Sequence, residues 1–277
     1  IAVDNPTGVD AATGQVAGDA VWAELTISLH APKVGQYVAP GVLHCGEVRV
    51  ADIGIPPEAF EGAGVAPAAA MIGPRGLRLA PRRDDASSKF TSGVLGVVGG
   101  STGLTGAPCL AAMAAQRTGA GYVTAYVPAS LNMVFEQRLL EVMSVPLADT
   151  DGAIERNAIE RQIEHSARCD ALVVGPGIGR AASTGEFVAE LLVRSKKPML
   201  IDADGLFAFA GHPERLRRPA PLLITPHSGE LARLLGVTSD DVEGARLTHA
   251  QEAAEATGAV VVLKGSDSVV AAPGEAP

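Results

Sequence analysis

From Phe90 onward an apolar run, a glycine-rich or polar turn and a helical pattern follow one another repeatedly, and this order limits the possible folds most. The run at 94–98 is apolar throughout, as expected for a strand that is buried on both faces of a sheet. Comparable runs lie at 122–127, 171–174, 199–202, 222–225 and 260–263. Helical patterns lie at about 184–194, 228–235 and 240–257. Strands that alternate with helices predict an α/β fold, with a doubly wound, mostly parallel sheet and helices on both faces.

The composition is that of a globular protein and argues against several classes of function. The 277 residues allow one large domain or two small ones with a sizeable core. A hydrophobic content of 47% with 19% charged residues is not that of a disordered chain. The net charge of −9 argues against a nucleic-acid partner, because proteins that bind a phosphate backbone need patches of basic side chains. No run approaches the about 18 apolar residues of a membrane span, and no signal peptide is recognisable, so no membrane partner is expected.

The three cysteines Cys45, Cys109 and Cys169 are scattered and form no C-x-x-C pair. This spacing argues against a disulfide framework or a zinc site and favours a reducing cytoplasm. Cys109 follows a glycine-rich loop and could be a nucleophile, but a small apolar residue on a helix is the simpler interpretation. The sequence therefore predicts a cytoplasmic protein without structural disulfides.

Two glycine-rich loops follow apolar runs, at 99–106 and at 175–179. Glycine allows the backbone to approach a ligand closely, and the amino terminus of a following helix favours an anion. The first loop has neither the Gly-Lys-Ser/Thr of a Walker A loop nor the G-x-G-x-x-G fingerprint. A tight turn between strand and helix is the structural alternative for each loop. Because both loops follow predicted buried strands, we expect them at one edge of the sheet, where open α/β sheets bind ligands.

Polar side chains lie at the ends of three further strands. Asp202 and Asp204 in I-D-A-D-G could bind Mg²⁺, or Asp204 could cap a helix while Asp202 accepts backbone N–H bonds. His227 and Glu230 lie in T-P-H-S-G-E, where a first helical turn places them near one face. Lys264 begins the stretch K-G-S-D-S and offers a point charge to a phosphate, with an ordinary hairpin turn as the alternative.

Together these motifs resemble the ADP/ATP-dependent NAD(P)H-hydrate dehydratases of the ribokinase-like superfamily. The order T-P-H-x-G-E is characteristic of these enzymes, whereas related sugar and vitamin kinases often carry Asn in place of the His. The resemblance implies substrate contacts by Ala107, Gly177 and His227, organisation of Mg²⁺ by Glu230, and a place for Asp202 near the phosphate-transfer centre. It also implies an adenine-nucleotide site formed by Lys264, Gly265, Ser266, Asp267 and Ser268.

The first residues resemble a second family. The segment A-V-D-N-P-T-G-V-D at 2–10 is similar to the V-D-x-P-[ST]-G-x-D segment of NAD(P)H-hydrate epimerases, and 50–56 is similar to the stretch that closes that domain. The resemblance implies a substrate contact by Asp4 and K⁺ coordination by Thr7. We therefore expect the end of a Rossmann-like epimerase domain over 1–60, a linker over 61–88, and a ribokinase-like dehydratase domain over 89–277 that is truncated at its carboxyl terminus.

The resemblance leaves the catalytic residue unassigned. In the dehydratases and the related kinases, catalysis depends on a G-x-G-D stretch, and the dehydratase-like part of this sequence does not contain one. We expect its Asp, which is the general base, beyond Pro277. At the start of this domain only Lys89 is kept from the His-Lys-Gly that is usual in the family.

The expected activity is that of a lyase in nicotinamide nucleotide repair. The resemblance implies that ADP or ATP phosphorylates the hydroxyl group of the S form of hydrated NADH or NADPH (NADHX and NADPHX), and that phosphate is then eliminated. In the full-length protein an isomerase domain would interconvert the R and S hydrates, and the protein would be a homo-oligomer. The alternatives are a small-molecule kinase of the same superfamily and an inactive nucleotide-binding module. The sequence predicts no preference between ADP and ATP or between the two hydrates.

Overall fold

The first part of the chain forms a small parallel sheet. The structure is a computed structural model that describes residues 1–56, 58–59, 67–80, 85–89 and 91–275. Strands β1 (Ala2–Val3), β2 (Leu25–Leu29) and β3 (Glu47–Ala51) pair in that order and are all parallel, and helix α1 (Val42–Cys45) precedes β3. Parallel strands need long crossover connections, as in the Rossmann-like architecture expected for this region.

The part of the chain from Val94 onward builds the main sheet, whose strand order is β13-β12-β11-β10-β9-β4-β5-β6. Its strands are β4 (Val94–Val98), β5 (Tyr122–Pro128), β6 (Met143–Leu147), β9 (Ala171–Val174), β10 (Met199–Ile201), β11 (Leu222–Ile224), β12 (Val260–Leu263) and β13 (Val269–Ala271), while β7 (Asp149–Thr150) pairs with β8 (Ala153–Ile154) outside this sheet. The pairs of the main sheet are parallel, except that β13 runs antiparallel to β12. The mostly parallel sheet predicted from the sequence is therefore confirmed.

Helices lie between these strands, and two of them end at a glycine. They are α2 (Gly106–Arg117), α3 (Asn132–Arg138), α4 (Ile159–His165), α5 (Ala182–Arg194), α6 (Asp204–Phe207), α7 (Ser228–Leu235), α8 (Ser239–Gly244) and α9 (Arg246–Thr257). Helices α7 and α9 end at Gly236 and Gly258, whose φ values of 75° and 68° lie in the left-handed region. Glycine adopts this conformation without the strain that a Cβ would cause.

Alternate residues of β4 enter two different hydrophobic cores. Val97 belongs to a cluster with Cys109 of α2 and Phe135 of α3. Val98 belongs to a second cluster, which contains Phe187 of α5. Full burial of each such side chain contributes about 1.5–3 kcal/mol. Helices therefore cover both faces of the sheet, which confirms the doubly wound architecture.

The strand order reverses between β4 and β9. The chain continues from β4 to β5 and β6 on one side, and it returns to β9 on the other side of β4. In open α/β sheets the crevice at such a reversal, at the carboxyl ends of the strands, is the usual place of a ligand. The two glycine-rich loops follow these two strands and so flank the crevice.

One detail differs from the sequence-based expectations. The helix expected at about 240–257 is divided, because Ala245 has φ −146° and ψ 56° and separates α8 from α9. This division accompanies the burial of Arg246, the first residue of α9, whose side chain is 1% exposed. Strand β13 is antiparallel because residues 264–268 connect it to β12, and a parallel crossover needs a dozen residues or more.

The region expected to be a linker, 61–88, is described in part. Pro74–Leu79 forms a 3-10 helix without a buried residue, with Pro74 at its first position, whereas 61–66 and 81–84 lie outside the described residues. The three cysteines are free and buried, and burial raises the pKa of the Cys109 thiol, in agreement with a structural role. Within the described ranges the structure contains no helix that is both long and apolar enough to cross a membrane.

Candidate functional site

The loops after β4 and β9 contact each other directly. The Gly100 N–H donates to the carbonyl oxygen of Pro176 (3.1 Å), and the Ser101 hydroxyl donates to the carbonyl oxygen of Gly177 (2.9 Å). Gly177 has φ +61°, and a Cβ at this position would overlap the carbonyl oxygen of Leu104. Glycine is therefore required at 177 by conformation and by space. Both loops are tight turns between strand and helix, which is the structural alternative named in the sequence analysis. They also meet at the reversal of the strand order.

Ala107 and Gly177, two predicted substrate contacts, both lie near Leu104, and Gly177 itself is buried. Ala107 is exposed in the first turn of α2, three residues after Leu104, against which Gly177 is packed. Helix α2 begins at Gly106 without a side-chain cap from Thr105. The first N–H groups of a helix lack partners within the helix and favour anions. The arrangement suits a polar or anionic ligand.

Asp202 and Asp204 contact different cations. Lys264 Nζ lies 2.7 Å from Asp202 Oδ1, whereas Arg180 Nε lies 2.6 Å from Asp204 Oδ1. Ala203 between them has φ +53°, a conformation that costs a non-glycine residue about 1–3 kcal/mol. Asp204 is the first residue of α6 and not its N-cap, and Asp202 accepts a hydrogen bond from a side chain. The structure therefore supports neither the paired-carboxylate Mg²⁺ site nor the capping arrangement considered above.

His227 and Glu230 cap the amino terminus of α7 reciprocally. His227 Nδ1 accepts from the N–H groups of Gly229 (3.0 Å) and Glu230 (3.4 Å), and Glu230 Oε2 accepts from the His227 N–H (2.8 Å). The proton of a neutral ring then lies on Nε2, which is 3.5 Å from Glu230 Oε1. The side chain of His227 is 58% exposed and that of Glu230 only 10%. The two side chains are thus in contact, as their spacing predicts, and the imidazole remains accessible to a ligand.

Lys264 joins this pair to Asp202. Its N–H donates to the carbonyl oxygen of Pro226 (2.8 Å), which places the ends of β11 and β12 side by side. Its ammonium group lies 2.7 Å from Asp202 Oδ1 and 3.8 Å from Glu230 Oε2, and the side chain is 42% exposed. Asp202, His227, Glu230 and Lys264 are called the strand-end cluster below. Two carboxylates facing one accessible ammonium give the cluster the charges needed to hold a phosphate together with a divalent cation.

The stretch 264–268 connects β12 and β13 as a hairpin turn, which is the alternative to a nucleotide site named in the sequence analysis. Gly265, Ser266 and Ser268 are exposed in it. The Asp267 carboxylate, by contrast, is 8% exposed and lies 3.0 Å from Arg246 Nε. Because the protein itself engages this carboxylate, the structure argues against the direct nucleotide contact expected for Asp267.

Asp4, in the amino-terminal region, has a fixed carboxylate. Its Oδ1 accepts from the Leu29 N–H (3.0 Å) and from the ammonium group of Lys33. The hydrogen bond from Lys33, followed by that from Leu29, holds the pKa of Asp4 below its ordinary value. Thr7 is exposed nearby in the sequence, and the Oδ1 atom of Asn5 is buried without a hydrogen-bond partner. This segment therefore provides a positioned carboxylate and further oxygen atoms that can bind a cation.

Replacing Asp4 with Asn is expected to reduce stability at neutral pH more than in acid. Because the folded pKa is lowered, the stability that Asp4 contributes is present above the ordinary value of 3.8 and is lost as the pH falls through the folded pKa. Urea unfolding of the parent and D4N proteins from about pH 6 to pH 3 should give free energies that converge towards the acid end. D19N, which changes an exposed carboxylate, is the control. A difference that stays constant over this range would contradict the role of Asp4.

The sequence analysis missed the two cations that hold these segments in place. Lys33 is 29 positions from Asp4, and Arg246 is 21 positions from Asp267. Arg246 also lies inside the range 240–257, for which the sequence predicts one continuous helix. No local pattern marks either pairing, since each joins elements that only the fold brings together.

Comparison with known proteins agrees with this geometry. Residues 95–276 match the family described as NAD(P)H-hydrate dehydratase, and residues 1–35 match the one described as YjeF-related protein N-terminus. The bifunctional NAD(P)H-hydrate repair enzymes Nnr of Salinibacter ruber and Moorella thermoacetica are each 40% identical over 99% of this chain. The matches cover 51% and 52% of those proteins, so the chain spans about half the length of the curated relatives.

Solved structures give the same result. The ADP/ATP-dependent NAD(P)H-hydrate dehydratase from Bacillus subtilis, co-crystallised with ATP and Mg²⁺, is 29% identical with a TM-score of 0.61, over 73% of this chain and 69% of that chain. A ribokinase-like superfamily protein from Enterococcus faecalis, 20% identical with a TM-score of 0.58 over 71% of this chain and 65% of that one, supports the fold alone. Because the matching family covers more than half of the residues, this chain belongs to the NAD(P)H-hydrate dehydratase family.

Proposed function

We propose that the dehydratase domain to which residues 89–277 belong carries out the ADP- or ATP-dependent dehydration of hydrated NADH and NADPH. The hydroxyl oxygen on the reduced nicotinamide ring of the S hydrate attacks the terminal phosphoryl group of the nucleotide, and its proton passes to a base. The bond between the terminal phosphorus and its bridging oxygen breaks, and AMP leaves from ADP or ADP leaves from ATP. Phosphate then leaves with the electron pair of the C–O bond, while a proton leaves the neighbouring ring carbon and the double bond is restored. Phosphate is a far better leaving group than hydroxide, which explains the need for a nucleotide.

The observation that carries this proposal is the strand-end cluster. The Lys264 ammonium lies between Asp202 and Glu230, with the exposed imidazole of His227 on the same helix turn as Glu230. Phosphoryl transfer depends mainly on positioning and on neutralising charge at the phosphoryl oxygens. An accessible ammonium group beside carboxylates, next to the crevice where two glycine loops meet, suits that task.

The carboxylates of the cluster fit a magnesium ion that is shared with phosphate. Mg²⁺ prefers oxygen ligands and usually takes one or two carboxylates together with water and phosphate oxygens. In the part of the chain that the structure describes, no group of three or more His, Cys, Asp or Glu side chains could hold a metal ion. Glu230 would hold the ion, directly or through water. When bound, the ion neutralises charge on the transferred phosphoryl group.

The remaining roles are assigned residue by residue. Lys264 supplies a positive charge to the nucleotide phosphates, Gly265 permits close approach of the backbone, and the exposed hydroxyl groups of Ser266 and Ser268 are available to the nucleotide. Asp267 contributes by shaping this loop. The S hydrate lies against Ala107 and Gly177 at the crevice and against His227 of the strand-end cluster. The general base is assigned to a residue beyond Pro277.

For residues 1–60 we propose the end of an epimerase domain, joined by a linker at 61–88 to the dehydratase domain. Asp4 would contact the hydrate and Thr7 would take part in K⁺ coordination. The sequence match of residues 1–35 and the fixed Asp4 carboxylate support this assignment. The isomerase activity belongs, in this proposal, to the full-length protein.

We also propose that the full-length protein is a cytoplasmic homo-oligomer that acts on small molecules and not on nucleic acids or membranes. The three cysteines are free, as is usual in a reducing compartment. The net charge of −9 disfavours binding to phosphate backbones.

Turnover of chemically hydrated NADH by the full-length protein with Mg²⁺ tests the proposal, with ADP, ATP or no nucleotide present. Recovery of NADH absorbance only in the presence of a nucleotide is the expected result, and it identifies the phosphoryl donor. A stable phosphorylated product from another alcohol would instead indicate a small-molecule kinase of the same superfamily. Nucleotide binding without any turnover would indicate the inactive module.

Replacing His227 with Asn separates the two roles of this side chain. Asn is a good N-cap, so the free energy of unfolding should change by less than about 0.5 kcal/mol. Asn cannot reproduce an Nε2–H at the same distance from the backbone, so KM for the hydrate should rise about ten-fold, as for one lost hydrogen bond to substrate. Steady-state kinetics and urea unfolding of H227N and H227A provide the measurement. Unchanged KM and turnover in both variants would refute the assignment of His227 to the substrate.

A further inference from the structure

The loop that carries Lys264 rests on a buried guanidinium group. Arg246 is 1% exposed, and its nitrogen atoms donate to five acceptors. These are the side chains of Asp267, Ser228 and Glu243 and the carbonyl oxygens of Lys264 and Asp267, at 3.0–3.3 Å. An arginine side chain has five N–H groups, so the structure uses its full donor capacity.

Arg246 joins the two parts of the strand-end cluster. Through Ser228 it holds the residue that follows His227, and through the carbonyl oxygens it holds both ends of the loop 264–267. Gly265 is packed on it so closely that a Cβ would overlap Arg246 Nη2. A planar guanidinium group fixes several acceptors in one geometry, which a lysine ammonium does not.

Asp267 extends this arrangement to the amino-terminal region. Its Oδ2 accepts from Arg246 Nε at 3.1 Å and also from the N–H of Ala39 at 2.8 Å. Ala39 lies between β2 and β3, in the part of the chain assigned to the epimerase. The Asp267 carboxylate therefore contacts both Arg246, which supports the nucleotide loop, and Ala39, which is 228 positions away in the sequence.

We propose that Arg246 is a positioning residue for nucleotide binding, and that Asp267 ties the loop 264–268 to the epimerase region through Ala39. The proposal rests on the proposed function of this loop. Neither side chain is accessible enough to touch the nucleotide, so both act through the backbone of the loop and through Lys264. Binding of a nucleotide at the loop should then also order the segment around Ala39, since both share Asp267.

The first test compares R246K with the full-length parent protein in steady-state kinetics and in calorimetric titration of ADP and ATP with Mg²⁺. Lysine keeps the charge but provides three donors for five acceptors. We expect the nucleotide Kd and KM to rise about ten-fold, as for the loss of one charge-assisted hydrogen bond, while KM for the hydrate at saturating nucleotide stays within about two-fold. R233K, on the exposed surface of α7, is the matched control and should behave as the parent. Equal rises in both KM values, or no change in either, would overturn the positioning role.

The second test measures amide hydrogen exchange at Ala39 in the parent, D267N and D240N proteins. Asp240 lies exposed in the first turn of α8, so D240N controls for the change of charge. Exchange at Ala39 should be faster in D267N alone, and ADP should slow it in the parent but not in D267N. If ADP has no effect on Ala39 in the parent, the link to the epimerase region is wrong.

Different results would refute the proposed dehydratase function and the positioning role of Arg246. A parent protein that binds nucleotide but does not dehydrate the hydrate would refute the proposed function, while the titrations with R246K would still test Arg246. A parent protein that binds no nucleotide would overturn both. D267N provides an independent variant if R246K does not fold.

Discussion

Replacement of Lys264 with Met is expected to reduce kcat/KM for nucleotide-dependent dehydration by about 10²–10³-fold, as for the loss of one preorganised electrostatic contact to the transition state. The Lys264 ammonium is 2.7 Å from Asp202 and 3.8 Å from Glu230, and it is the member of the strand-end cluster that can offset phosphate charge. Without it, two carboxylates face the incoming nucleotide. Like charges at this distance oppose binding, so the nucleotide Kd should also rise.

The control for this experiment is K196M, which removes an exposed lysine after α5. Its kinetics should match those of the parent. In the double variant D202N/K264M, loss of one carboxylate relieves the repulsion, so nucleotide affinity should partly recover while turnover stays low. Turnover of K264M within about two-fold of the parent would show that Lys264 makes no contact with the reacting phosphate.

The second large effect is expected for Gly175→Ala, which should lower the free energy of unfolding by about 2–4 kcal/mol, from backbone strain together with overpacking. Gly175 has φ +119°, which L-residues rarely adopt, and a Cβ there would overlap the carbonyl oxygen of Asp202. The ends of β9 and β10 would have to separate. Because Asp202 would move with its backbone, its contact with Lys264 should weaken and turnover should fall as well.

Gly185→Ala is the matched control. Gly185 lies inside α5, and a Cβ there would meet only ordinary van der Waals contact with Ala208. Alanine in a helix interior is favoured over glycine by about 0.5–1 kcal/mol, so this variant should be more stable than the parent. Urea unfolding of the two variants gives the comparison. Equal stability of G175A and G185A would contradict the close packing of β9 against β10.

Much of the fold follows from short-range patterns. The runs that became β4, β9, β10, β11 and β12 are continuous and apolar, because both faces of the sheet are buried, and the glycines and prolines around them mark the turns. Strand β6 is not visible in the same way, since Pro146 interrupts it. Proline is tolerated there because β6 is an edge strand and can lack one ladder hydrogen bond.

The site could be predicted as a set of strand ends but not as a set of contacts. Parallel strands bring Asp202, His227 and Lys264 to one edge. The sequence places Asp202 and Lys264 directly after apolar runs, and it places His227 two residues beyond another such run. Which cation meets which carboxylate depends on side-chain geometry. Asp204 pairs with Arg180 and Asp202 with Lys264, because the positive φ of Ala203 separates two neighbouring acids. Long-range partners such as Arg246 leave no mark on the local sequence.

The hairpin that carries the proposed nucleotide loop, residues 264–268, restricts the length of this loop. Strand pairing of Val261 with Ala271 and of Leu263 with Val269 fixes both ends of the loop, and these four side chains are buried. A change in loop length would shift β13 by one position, which turns buried residues towards solvent, or would detach Asp267 from its partners. The exposed serines between these ends are free of that restriction. Substitution at these serines should therefore be tolerated much better than insertion or deletion of a loop residue.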